Sequence, residues 1–76
     1  MTKQDQNKIN AQIGRTFKWI DAHLFADEAE SHKSRILAYW NEHAQHMGPN
    51  AVRRMRDYLE EAELSILAQY NEFELL

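Results

Sequence analysis

Residues 50–76, NAVRRMRDYLEEAELSILAQYNEFELL, decide how the rest of this 76-residue chain can fold. Val52, Met55, Leu59, Ala62, Ile66, Tyr70 and Phe73 follow one another in steps of three and four, the repeat of a helix with one buried seam. Beyond Ala62 the pattern doubles. Leu64, Leu67, Ala68 and Leu75 add apolar surface away from that seam, and at about 100° per residue Leu64, Ala68 and Leu75 project roughly opposite it. A helix that needs one apolar face to fold therefore offers two.

Working back from this helix, Gly48-Pro49 is the clearest punctuation in the chain. Glycine can take the left-handed conformation that closes a helix, and proline cannot continue the hydrogen-bond ladder. Asn50 would cap the third helix, or Pro49 would occupy its first turn. Upstream, Ala29, Ile36, Trp40, Ala44 and Met47 form a second stripe with Leu37 at its edge. Asp27 and Glu30 have the spacing of a capping box that would start this helix at Glu28, with Ser31 a competing cap. Ile9, Ile13, Phe17, Ile20 and Leu24 form a third stripe, clean enough to outweigh the cost of Gly14 within it. No glycine or proline marks the break after Leu24, so one long bent helix through Lys33 is the alternative to two.

The expected fold is all-α: a single domain over 1–76, built as a small three-helix bundle with helices at roughly 5–25, 28–47 and 50–74. A polar stretch at about 1–6 is expected to fray, and homodimerisation could complete the bundle. With 43% hydrophobic and 28% charged residues, the composition is that of a globular chain. Two glycines and one proline are too few for an all-β fold, and the absence of cysteine excludes disulfides and thiolate metal sites. No apolar run approaches the length of a membrane span, and the polar beginning carries no signal-peptide core, so a cytoplasmic protein is expected. The net charge of −3 hides an asymmetry. All nine Lys and Arg lie at or before Arg56, and six of the twelve acidic residues lie after it.

Four groups of residues invite a functional reading. Trp19 falls off its stripe, beside Arg15 and His23. It is either an aromatic covering the core edge or an exposed anchor stiffened by Arg15. His32, Tyr39, His43 and His46 share a flank of the second helix, but two imidazoles three residues apart fall short of the three or four ligands of a metal site. No metal or cofactor is expected. Arg53, Arg54 and Arg56 sit where the helix dipole disfavours cations. They either pair locally, Arg53 with Asp57 and Arg56 with Glu60, or bind an anion or acidic partner. Ala44-Gln-His-Met-Gly48 matches the turn of a helix-turn-helix, yet the following helix has charges at Arg54 and Asp57, where that motif needs apolar residues. Ser31, Ser34 and Ser65 stand in helical contexts without the strand-to-turn elbow of a nucleophile.

These residues point to a non-catalytic protein–protein interaction or regulatory module, with Trp19, Leu64, Leu67, Ala68 and Leu75 as candidate partner contacts. The partner would be another protein or a second copy, in a homodimer. The alternative is a dimeric nucleic-acid-binding regulator using Arg53, Arg54 and Arg56 with Lys33 and Arg35. In size and simplicity the chain resembles the short helical proteins of phages and plasmids that bind host machinery.

Overall fold

The computed structural model describes residues 2–74, with side chains described for 2–44 and 46–69. Three helices fold as a small bundle: α1 (Lys3–His23), α2 (Ala26–His43) and α3 (Ala51–Glu74). Two short 3-10 turns, Ala44–His46 and Gly48–Asn50, connect α2 to α3. Among the described residues no helix is long and apolar enough to cross a membrane.

α1 begins at Lys3, so residues 3–6 are helical where a frayed segment was expected. The cause is Thr2, whose hydroxyl oxygen accepts from the Asp5 N–H at 3.1 Å and satisfies one of the free first-turn donors. α1 and α2 are separate helices, because Leu24 and Phe25 are both extended, with ψ of 152° and 158°. The Leu24 N–H still closes α1 on the Ile20 carbonyl at 2.9 Å. The capping box does not form. Phe25 is the N-cap of α2, without a side-chain cap bond, and the helix starts at Ala26. Asp27 and Glu28 then occupy the first turn, where their charge complements the helix dipole.

The α-helical part of α2 ends at His43 rather than Met47, because the last residues tighten into a 3-10 turn. Gly48 takes the left-handed conformation expected of it, with φ of 60°. Pro49 falls in the first turn of the second 3-10 segment, which runs into α3 without interruption.

α1 packs along both other helices, most extensively along α3. The core joins Ile9, Ile13 and Ile20 of α1, Ala29 and Ile36 of α2, Met47, and Ala51, Met55, Leu59 and Ile66 of α3. Phe17, Leu24, Trp40 and Val52 close its margin. Tyr70 and Phe73, placed on the α3 seam by their spacing, have side chains outside the described residues. Across the α1–α2 corner the Lys33 ammonium pairs with Asp21 at 2.9 Å and with Glu30 at 3.1 Å, and both carboxylates hold its pKa above the ordinary value. Between α2 and α3, Tyr39 and Tyr58 stack face to face, 3.7 Å between centroids and 3° from parallel. α1 and α3 run in the same direction: Gln12 reaches Val52 and Thr16, one turn later, reaches Glu63.

Two pairs of substitutions test this packing. Leu59 is 4% exposed and Leu64 64%. Leu59→Ala is expected to destabilise by about 2–5 kcal/mol and Leu64→Ala by less than about 0.5 kcal/mol in the monomer. Equal losses in urea melts would overturn the orientation of α3. The two glycines should respond oppositely. Gly14 lies inside α1 with open space around its Cα, so Gly14→Ala should stabilise by about 0.5–1 kcal/mol. Gly48 needs its positive φ, so Gly48→Ala should destabilise by about 1 kcal/mol.

Candidate protein-interaction surface

On an α-helix nine residues span two and a half turns, so positions nine apart point in opposite directions. Leu64, Ala68 and Leu75 stand nine residues after Met55, Leu59 and Ile66, which are 0%, 4% and 1% exposed. The seam that holds α3 in the bundle thus fixes an outer face. Leu64 is 64% exposed on it, Leu67 is 40% exposed toward its α1 side, and Ala68 is exposed. Leu75 lies outside the described residues. Arg53, Asp57 and Glu60 are exposed on the N-terminal half of the same face. The apolar surface left exposed there contributes little to the fold.

Trp19 does not join this face. It is half-buried, packed on the edge of the core, as the more modest reading of its position expects. Its ring stacks on His23, 4.3 Å away and 26° from parallel, and not by way of an Arg15 stack. His23 Nδ1 lies 2.7 Å from the Trp19 carbonyl oxygen, to which it can donate. Trp19 borders a groove of about 450 Å³ between α1 and α3, shared with Gln12, Arg15, Thr16, Arg56, Glu60 and Glu63. Apolar spacing gives no sign of the polar floor of this groove. The buried Thr16 hydroxyl donates to the Glu63 carboxylate at 3.0 Å. The Gln12 side-chain N–H donates to the Val52 carbonyl at 3.4 Å, and Gln12 Oε1 is buried without a hydrogen-bond partner among the described residues.

The arginine cluster separates on folding. Arg56 borders the α1–α3 groove, whereas Arg54 borders a hollow on the other side of α3 with Tyr39, Asp57, Tyr58 and Glu61. Positions 54 and 56 are about 200° apart on a helix, so neighbours in sequence serve different faces. The Arg56 Nε contacts the carboxylate of the adjacent Asp57 at 3.6 Å, rather than Glu60. Both side chains are more than half exposed, and such a contact contributes little. Lys33 is engaged with Asp21 and Glu30, so it does not extend the basic surface.

Along the α2 flank His43 tilts against Tyr39, with centroids 4.5 Å apart. Among the described residues no three His, Asp or Glu side chains converge as metal ligands. Phe25, assigned to no stripe by its spacing, stands 85% exposed at the α1–α2 corner. Tyr58 is partly buried, and that burial raises the pKa of its phenol, with Tyr39 adding to the rise.

His32 borders a hollow between α2 and α3 with Arg35, Tyr58, Glu61, Ser65 and Gln69. Burial depresses its pKa below the ordinary 6.5, Arg35 acts in the same direction, and Glu28 opposes them. The folded chain then takes up this proton less readily than the unfolded chain, so acidification through about pH 6.5 favours unfolding until the folded-state pKa is passed. The melting temperature of the parent protein is expected to fall more between about pH 7 and about pH 5 than that of His32→Gln. Parallel curves for the two proteins would refute a stability role for this imidazole.

In comparisons with known proteins, the chain matches no family model, no curated protein and no solved structure.

Proposed function

We propose that this chain is a non-catalytic protein-interaction module with regulatory use, and that the outer face of α3 is its docking surface. The observation that carries the reading is Leu64, 64% exposed on the side of the helix opposite the fully buried Met55. Leu67 and Ala68 extend the same surface. The occupant is a second copy of the chain. The basic beginning and acidic end of α3 are self-complementary when two copies lie antiparallel, and a two-fold pair uses one surface twice. Ser31, Ser34 and Ser65 all lie within helices, which supports a role without a nucleophile.

Full burial of a leucine contributes about 1.5–3 kcal/mol, and association costs at least ~4 kcal/mol in lost freedom. A surface with a few such side chains on each copy fits a reversible dimer that responds to protein concentration. The nucleic-acid alternative draws less support, because Arg54 and Arg56 border different grooves and Lys33 is paired.

Analytical ultracentrifugation at micromolar concentration is expected to show a dimer. Leu64→Glu combined with Leu67→Glu is expected to give a monomer with unchanged helical circular dichroism. A parent protein that stays monomeric throughout that range would overturn self-association.

A further inference from the structure

The charges on α3 carry a register as well as a polarity. The helix is continuous from Ala51 to Glu74. Positions 54 and 72 are 18 residues apart, which is five whole turns, so the two positions fall above one another on one side of the helix. Positions 56 and 74 have the same separation, so those two positions fall on the other side. Leu64 lies between the two columns, about 80° from each. Leu64 and Ala68 make the centre line apolar only in its C-terminal half, Arg53, Asp57 and Glu60 occupy its N-terminal half, and a charged column runs on either flank.

We propose that two copies pair through α3 in antiparallel orientation with the two-fold axis passing beside Leu64. Arg54 then meets the partner's Glu72, and Arg56 meets the partner's Glu74. The inference rests on the reading of the outer α3 face as a self-docking surface, and adds where on that face the axis falls. Two-fold symmetry about an axis across the helix pair keeps each column on its own side. The Arg54–Glu72 column is centred at 63 and the Arg56–Glu74 column at 65, so both ask for an axis within about 1.5 Å of residue 64.

The centre line agrees with the flanks. An axis at 64 sets Leu64 against its own copy and Glu60 against Ala68, and where Asp57 comes beside the partner's Glu72, Arg54 stands on the same flank to offset the two carboxylates. Moving the axis one turn toward the C-terminus brings Glu61 and Glu63 toward Glu72 and Glu74. Moving it one turn the other way sets Leu64 against Asp57 and brings Glu60 and Glu61 together. A parallel pair would exchange the flanks and set Arg54 against the partner's Arg56. Repulsion thus selects among pairings whose apolar contacts are similar.

The chain contains no cysteine, so a single introduced thiol reports on one position. In the antiparallel register residue 64 meets itself. Residue 53, on the same face, lies about 33 Å along the axis from its copy, far beyond the ~7 Å limit for a disulfide. Under mild oxidation Leu64→Cys is expected to form a covalent dimer and Arg53→Cys to stay monomeric on a non-reducing gel. Independently, Arg54→Glu with Arg56→Glu should weaken the dimer about tenfold, and adding Glu72→Arg with Glu74→Arg should restore it. Cross-linking by both cysteine variants would mean a parallel pair and overturn the register. A dimeric parent whose fourfold charge reversal stays weak would overturn it as well. A monomeric parent would instead remove the self-docking reading beneath it.

Discussion

Ile9, Ile13 and Ile20 close onto Met55, Leu59 and Ile66 along the line where α1 and α3 run side by side, and the remaining structure is fitted around that contact. A chain of this length has little core to spare, and β-branched isoleucine fills it with few rotamers to lose. Thr16 is the buried polar group in this line, and its bond to Glu63 removes the penalty of an unmade hydrogen bond while tying the two helices at one height. α2 is then held by different means at its two ends, by Lys33 on Asp21 near the first corner and by the Tyr39–Tyr58 stack farther along.

Apolar spacing carried most of this fold in legible form. Among the described residues the three stripes became the three buried faces, and Gly48 turned the chain where only a residue tolerant of positive φ could. The misreadings share one cause, which is that local spacing is ambiguous about what a polar residue contacts. Asp27 and Glu30 have the spacing of a capping box, but an acidic first turn has the same composition, and the extended Leu24-Phe25 pair settled the matter two residues earlier. Arg53, Arg54 and Arg56 look like one patch when written in a line, yet a helix distributes them around its circumference. Gln12 and Thr16 were invisible as groove residues because their partners are 40 and 47 residues away. Trp19 has Arg15 and His23 at equal distance along the helix, and spacing alone favours neither.

The outer face of α3 was legible for a different reason. A second apolar stripe on a helix obeys the same periodicity as the core stripe, so it could be read without knowing any tertiary contact. What spacing could not supply was which stripe faces inward. The burial of Met55, Leu59 and Ile66 decides that, and with it the exposure of Leu64. The inner stripe is long and aliphatic, suited to permanent burial. The outer one is shorter and bordered by the exposed carboxylates Asp57, Glu60 and Glu61.

A division of labour along α3 follows from the proposed axis. Residues 54–61 of one copy would lie against residues 67–74 of the other. The first segment is the half whose inner side is fixed by Met55, Leu59 and the stacked Tyr58. Each copy would then present its best-anchored turns to the more apolar turns of its neighbour, twice over by symmetry. A firm template reduces the ordering cost of association, which matters most for an interface with few large side chains. Dimer formation would in turn stabilise the fold by mass action, since only folded chains present the stripe. In a domain with so small a core, the second face of α3 could therefore contribute to both assembly and persistence of the fold, and the two would rise together with protein concentration.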